Sequence, residues 1–117
     1  MSMIIEPANS VVLVVGRDQY TPPRSLDGEA CSATDDCIAV GVVSVDDRPT
    51  HVRFGDASTI ESLLMLGRFP IPSDGTISIR DIHGREYLNI ETRPGVTSVT
   101  IWGNDTSEPS QIVVQPG

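Results

Sequence analysis

The sequence contains no lysine, and all eight of its basic residues are arginine. Sixteen aspartate and glutamate residues give a formal net charge of −8 at pH 7. Binding nucleic acid through its phosphates requires a basic surface, which this composition does not supply. The composition therefore excludes nucleic-acid binding as the main function, whereas a basic protein partner or a cation suits an acidic surface.

Long apolar runs are also absent. The first run of consecutive apolar residues beyond the N-terminus, at 11–15, has only five residues and stops at Gly16, and no positively charged segment precedes it. This pattern predicts neither a signal peptide nor a membrane span, so a cytoplasmic location is expected by default. Aromatic residues make up only 4% of the chain, so the core must be built from valine, isoleucine and leucine, which favours strands. At 117 residues, a single domain spanning residues 1–117 is expected.

The sequence has two cysteines, Cys31 and Cys37. Their spacing is neither the C-x-x-C of redox proteins nor half of a standard zinc set. Cys37 starts an apolar run, which predicts a buried thiol. Cys31 lies in a polar segment and is expected to be the more exposed of the two. A disulfide between them is not expected in a reducing cytoplasm.

Catalytic motifs are lacking as well. The sequence has no G-x-S-x-G elbow, no glycine-rich phosphate loop and no zinc spacing around His51 and His83. An enzyme is therefore not favoured, and no cofactor is predicted.

Alternating apolar residues in the C-terminal half predict three antiparallel strands, at 76–82, 85–91 and 96–102. Short turns at His83–Gly84 and Pro94–Gly95 join them and set the register between the strands. In that register six apolar side chains share one face, as cross-strand pairs over a core should. They are Ile77, Ile79, Leu88, Ile90, Val99 and Ile101.

Other apolar runs predict strands at 11–15, 37–45, 50–54 and 111–115. The second and third are expected to form a hairpin in which Phe54 covers Gly41. A capping box of Ser58 and Glu61 predicts one short helix near residues 58–66, ending before Gly67. The predicted fold is mainly β, a sandwich or open barrel of about seven mostly antiparallel strands. An α+β two-layer roll is the alternative.

The outer face of the predicted meander brings Arg80, Tyr87 and Trp102 into one row. These three residue types are enriched at binding hot spots, so the row is a candidate partner-binding surface. The alternative is that another layer covers this face and that Trp102 belongs to the core.

The long loop at 16–36 supplies a second candidate surface, the carboxylates of Asp27, Glu29, Asp35 and Asp36. A third candidate is the turn at 81–86, where the register places Asp81 opposite Glu86 with His83 between them. Two close carboxylates could share a proton or hold a cation. Arg80 and Arg85 could equally neutralise the two carboxylates. Asp81, His83 and Glu86 are therefore candidate ligands only, and no metal site is predicted.

These features favour a non-enzymatic protein-interaction domain that binds a basic partner. In charge and size the chain resembles small acidic inhibitors, such as the immunity proteins that block basic nuclease toxins. A small-molecule or cation site at the 81–86 turn, hydrolytic or not, is one alternative. A structural protein that associates with its own copies as a homodimer is the other.

Overall fold

The computed structural model describes residues 2–55 and 62–117, which form a sandwich of two five-stranded sheets. The prediction of a mainly β fold is confirmed, although the described residues contain ten strands rather than about seven. One short 3-10 turn, Ala8–Ser10, precedes the second strand. The strands are β1 (Ser2–Ile5), β2 (Val11–Val15), β3 (Cys31–Ala33), β4 (Cys37–Gly41), β5 (Thr50–Phe54), β6 (Leu64–Ser73), β7 (Thr76–Arg80), β8 (Glu86–Glu91), β9 (Gly95–Gly103) and β10 (Gln111–Pro116).

The first sheet has the strand order β1-β5-β10-β9-β6, and the second has the order β3-β4-β2-β7-β8. Neighbouring strands are antiparallel except β5 and β10, which run parallel in the middle of the first sheet. Within residues 2–55 and 62–117, no helix is long and apolar enough to cross a membrane.

The core lies between the two sheets and consists of alternate residues from each strand. Successive side chains of a strand point to opposite faces, so every second one enters the space between the sheets. Most of these residues are valine or isoleucine, and each fully buried side chain stabilises the fold by about 1.5–3 kcal/mol. Fully buried examples are Val12, Val14, Ile38, Val40, Ile77 and Ile79 from the second sheet, and Val52, Ile71, Val99, Ile101, Ile112 and Val114 from the first.

The first half of the predicted meander is confirmed, since Ile77 pairs with Ile90 and Ile79 with Leu88. The second half is wrong: after β8 the chain crosses to the other sheet, where β9 pairs with β6 and β10. Val99 and Ile101 still enter the core, but from the opposite side. Alternation identifies which face of a strand is buried and does not identify its neighbour.

The predicted hairpin between residues 37–45 and 50–54 is also wrong. β4 pairs with β2 and β3, whereas β5 pairs with β1 and β10 in the other sheet. Gly41 is covered, though by Leu26 rather than Phe54: a Cβ at Gly41 would lie 2.7 Å from Leu26 Cδ1. Glycine is needed at position 41 because a residue of the long loop, Leu26, packs directly against it.

The helix predicted near residues 58–66 fails where it can be checked. Ser58 and Glu61, the capping pair, lie outside the described residues, but Leu64 begins β6. β6 pairs with β9, some 30 residues further along the chain, so its partner is not visible in the local pattern. A bulge between Met65 and Gly67 interrupts this pairing, and Leu66 packs against the core.

Both cysteines are buried and unbonded. The expectation that Cys31 is exposed is wrong: its side chain lies in the core, and its thiol donates a hydrogen bond to the Leu66 carbonyl at 3.2 Å. Cys37 lies on the outer side of the same sheet. Burial raises the pKa of Cys31 to about 11 and that of Cys37 to about 12. Both thiols are protonated at neutral pH, so neither is an activated nucleophile.

Candidate functional site: an acidic groove

The long loop after β2 folds back over the outer face of the second sheet. There Tyr20 and Leu26 pack against a small apolar cluster formed by β2 and β4. The end of the predicted loop is not a loop, because Cys31–Ala33 forms β3. The sheet thus carries a second layer, and the polar residues of the loop are held against its surface.

Asp36 fixes the start of this loop. Its carboxylate accepts a hydrogen bond from the Thr21 amide at 2.9 Å and pairs with Arg17 at 3.0 Å. The Thr34 hydroxyl also bonds Asp36 and the Thr21 carbonyl. The Thr21 amide is the main reason that the pKa of Asp36 is lowered, and Arg17 and Thr34 add to the effect. Asp36 therefore clamps the loop to the turn between β3 and β4.

We expect Asp36→Asn to lower the free energy of unfolding by about 1–2 kcal/mol at pH 7, since it removes hydrogen bonds to a charged acceptor. A pKa lowered by folding contributes stability above the unfolded pKa, and this stability is lost as pH falls through the folded value. The difference between wild type and Asp36→Asn should therefore shrink below about pH 4. Urea unfolding at pH 7, 4 and 3 measures it.

The neighbouring exposed Asp35 provides the control for that prediction. Asp35→Asn should change the free energy of unfolding by less than about 0.5 kcal/mol at each pH. If Asp36→Asn is as destabilising at pH 3 as at pH 7, its effect does not come from the carboxylate charge. The role assigned to Asp36 in holding the loop would then be wrong.

Arg80 lies at the end of β7 on the same outer face. Its guanidinium pairs with Asp18 at 2.9 Å, lies 3.8 Å from Glu86, and stacks over the Tyr20 ring at 5.7 Å from the centroid. Its side chain is only 15% exposed. Among the described residues its Nε has no hydrogen-bond partner. Arg80 thus acts as a central cation that holds two carboxylates and the loop together.

Two adjoining hollows open on this face, one of about 290 Å³ lined by Arg80 and one of about 590 Å³ lined by Tyr20. Both are lined by Arg17, Asp18 and Asp74. We call them together the acidic groove and define it by four carboxylates and the two arginines between them. The carboxylates are Asp18, Asp36, Asp74 and Glu86, and the arginines are Arg17 and Arg80.

The groove carboxylates differ in how they are held. Glu86 accepts hydrogen bonds from Ser78 at 2.7 Å and Asn89 at 2.9 Å, and the Ser78 bond is the main cause of its lowered pKa. Asp18 extends into solvent from its contact with Arg80, with its side chain 93% exposed. Asp74 is exposed at the turn between β6 and β7. The groove therefore combines carboxylates held by neighbouring side chains, those of Asp36 and Glu86, with exposed carboxylates that have acceptor capacity left over, those of Asp18 and Asp74.

Asp18 and Asp74 were not among the residues singled out from the sequence. Asp74 reaches the groove because its amide donates a hydrogen bond to the Gly16 carbonyl at 2.8 Å, which joins the β6–β7 turn to the end of β2. This contact spans almost 60 residues, so no local pattern reveals it. The only signal is Gly16 itself, a glycine that ends a buried strand.

The predicted row of Arg80, Tyr87 and Trp102 does not form. A bulge shifts the β7–β8 register so that Arg80 pairs with Glu86, and Tyr87 packs against the core with Arg85 over its ring at 5.4 Å. Trp102 lies in the other sheet, where its indole donates to Gln115 Oε1 at 2.9 Å.

Of the four loop carboxylates predicted to bind a partner, only Asp36 lines the groove. Asp27 accepts a hydrogen bond from Ser25 at 2.6 Å in a tight turn. Glu29 and Asp35 are exposed beyond the groove. None of these three residues lines the groove.

The turn of Asp81, His83 and Glu86 is not a single site. Asp81 is buried, and its Oδ1 accepts hydrogen bonds from the amides of His83 at 2.8 Å and Arg85 at 2.9 Å. The prediction that Asp81 faces Glu86 is wrong, since Glu86 pairs with Arg80. His83 is exposed. Residues 2–55 and 62–117 contain no cluster of three or more histidine, cysteine, aspartate or glutamate side chains that could hold a metal ion.

Comparison with known proteins rests on structure, because no protein-family model matches the sequence and a search of curated proteins finds no match. The fold is similar to that of ComJ. ComJ is an inhibitor of the DNA-degrading activity of NucA from Bacillus subtilis. The two structures superpose with a TM-score of 0.68, covering 99% of this chain and 93% of ComJ, at 14% sequence identity. The likeness confirms the two-sheet fold over nearly the whole chain.

Proposed function

We propose that this protein is a non-enzymatic inhibitor that binds a basic protein through the acidic groove. The class of partner proposed is a nuclease. The observation that carries the proposal is the groove itself, in which Asp18, Asp74 and Glu86 are displayed around Arg80 on a fold shared with ComJ. The chain's net charge of −8 supports the same conclusion.

The groove suits an inhibitor because three of its four carboxylates, those of Asp18, Asp36 and Glu86, are held by neighbouring residues before binding. Arg80, Ser78 and Asn89 already hold the Asp18 and Glu86 carboxylates. A partner's arginine or lysine then meets oriented acceptors, so less conformational entropy is lost when the complex forms. Since Arg17 and Arg80 lie among the carboxylates, the groove also selects for the spacing of the partner's charges.

A nuclease is the class of basic protein that fits this chemistry best. Its substrate channel carries arginine and lysine side chains that bind phosphates. A surface with four clustered carboxylates competes for those side chains, and its long-range field increases the rate of encounter. The inhibition of a DNA-degrading protein by ComJ supports this class of partner.

The test is a DNA-degradation assay with each basic nuclease encoded beside this gene and with NucA. We expect one of them to be inhibited at one-to-one stoichiometry. The triple variant Asp18→Asn, Asp74→Asn, Glu86→Gln should bind that nuclease about 1000-fold more weakly or worse, since each of the three interfacial charge pairs contributes about 1.5 kcal/mol or more. Affinity should also fall as salt concentration rises.

The matched control is Asp46→Asn, Asp47→Asn, Glu108→Gln, which removes the same charge from exposed positions outside the groove. It should change affinity only a few-fold, through the association rate. Equal weakening by both triples would mean that only net charge matters. Inhibition of none of these nucleases by the wild-type protein would overturn the proposed function.

A further inference from the structure

The strand β8 forms an edge of the second sheet, since among the described strands it pairs with β7 alone. The Thr92 amide donates a hydrogen bond to the Gly75 carbonyl at 2.9 Å. Bonding toward the neighbour alternates along an antiparallel ladder, so Ile90 also bonds β7. The amides and carbonyls of Asn89 and Glu91 therefore point away from β7, toward the open edge, where no described strand meets them.

The other three edge strands of the sandwich are less able to accept an added strand. On β6, Pro70 and Pro72 have no amide hydrogen, so β6 bonds β9 through the alternate residues and its open edge lacks donors at both prolines. β1 has four residues and β3 has three. Proline and short length both protect an edge from pairing with another chain. β8 has six residues and no proline, so it is the edge best suited to pairing.

The two faces of β8 differ in chemistry. Glu86 lines the acidic groove, and Glu91 lies on the same outer face, opposite the groove residue Thr76. Leu88 and Ile90 pack against the core on the inner face and are half-buried. A strand added to this edge would continue both faces of the sheet. Basic side chains therefore suit its outer face, and apolar side chains suit its inner face.

A hollow of about 560 Å³ lies beside the end of β8, between the two sheets. Phe54 and Pro116 line it from the first sheet, and Ile90 lines it from the second. An apolar side chain on the inner face of an added strand is well placed to enter this hollow. Its burial would add hydrophobic stabilisation to the main-chain hydrogen bonds of the edge.

We propose that an extended segment of the basic partner pairs with β8 and becomes a sixth strand of the second sheet. The identity of this partner rests on the proposed function. Its arginine or lysine side chains lie beside Glu86 and Glu91, and its apolar side chains enter the hollow at Phe54. Because β8 borders the acidic groove, one partner contacts both surfaces at once.

A second copy of this chain is a poorer occupant of the edge. Pairing β8 with its own copy would bring the Glu86 and Glu91 carboxylates of both molecules onto one face of the joined sheet. Like charges on one sheet face are destabilising, and each molecule carries a net charge of −8. The edge is therefore matched to a cationic strand.

A capped peptide of alternating arginine and valine, with the six-residue length of β8, is a probe that needs no nuclease. We expect it to bind the full chain with a dissociation constant below about 1 mM. At ten times that constant, hydrogen exchange of the Asn89 and Glu91 amides should slow about tenfold, because both donors gain partners in the complex. Nuclear magnetic resonance of the isotope-labelled protein measures both quantities.

The control peptide has the same sequence with every internal amide N-methylated, so its charge and side chains are kept and its hydrogen-bond donors are lost. It should bind at least about tenfold more weakly. A capped peptide that does not bind at about 1 mM, or that binds equally well when N-methylated, would show that no strand pairs with β8.

A matched pair of variants tests the same edge from the side of the protein. Glu91→Pro removes the charge and the edge amide, whereas Glu91→Gln removes the charge and keeps the amide. Glu91→Pro should bind the capped peptide about tenfold more weakly than Glu91→Gln, because only it loses a main-chain donor. Circular dichroism checks that both variants fold, and if Glu91→Pro does not, the N-methylated peptide decides.

The same two variants separate this proposal from the proposed function. If a nuclease is inhibited equally by Glu91→Pro and Glu91→Gln, strand pairing at β8 is wrong and inhibition through the acidic groove stands. If the peptide protects Asn89 and Glu91 but no nuclease is inhibited, the edge accepts a cationic strand and the proposed function is wrong.

Discussion

Replacing Gly16 with alanine is expected to lower the free energy of unfolding by about 3–5 kcal/mol. A Cβ at this position would lie 2.2 Å from the Pro72 carbonyl oxygen and 2.8 Å from the Ser73 Cα. Both are backbone atoms, so no side-chain rotation relieves the overlap. The hydrogen bond from Asp74 to the Gly16 carbonyl holds the two segments together, and separating them would also move Asp74 out of the acidic groove.

Urea unfolding measures this loss, and Gly84→Ala provides the comparison. Gly84 has a φ of +85° but no atom within 4 Å of its added Cβ, so only conformational strain of about 1 kcal/mol is expected there. If Gly16→Ala costs no more than Gly84→Ala, the close approach between β2 and β6 is not a constraint on the fold.

Ile101→Ala should cost about 2–5 kcal/mol, because it leaves a cavity in the middle of the sandwich. Ile101 is completely buried on β9, between β6 and β10, and faces the second sheet. The surrounding side chains come from both sheets and are fixed by their ladders, so they cannot collapse fully into the space. Thermal and urea unfolding should both show the loss, with a cooperative transition retained.

Val96→Ala in the same strand is the matched control. Val96 is 76% exposed, so its truncation should change the free energy of unfolding by less than about 0.5 kcal/mol. Similar costs for the two variants would mean that the sandwich interior is not packed as described.

The sequence was informative about which side chains are buried. Ile77, Ile79, Val99 and Ile101 were all assigned to the core, and all are fully buried. It was less informative about neighbours, since strands of valine and isoleucine pair equally well with many others. The pairing of β9 with β6, and the failure of the predicted helix at Leu64, follow from contacts between distant segments.

The groove shows the same division between local and distant information. Asp36, Arg80 and Glu86 were each singled out from the sequence, but as parts of three separate candidate sites. The bulge that places Glu86 beside Arg80 shifts the register by one residue. No turn motif in the sequence indicates this shift. Asp18 joins them because the loop folds back over the sheet through Tyr20 and Leu26. Charge predicted the kind of partner, and only the tertiary fold defines the surface proposed to bind it.

The position of β10 affects how this chain can fold during synthesis. β10 lies between β5 and β9, so His51 finds its parallel neighbour, Gln111, only sixty positions later. Until residues 111–116 have left the ribosome, β5 and β9 each have an unpaired edge, and such edges promote aggregation. Contacts this distant also slow folding, to milliseconds or seconds in sandwiches of this kind. The nascent chain is therefore most vulnerable to aggregation just before β10 emerges, when the second sheet is complete and the first still lacks its central strand.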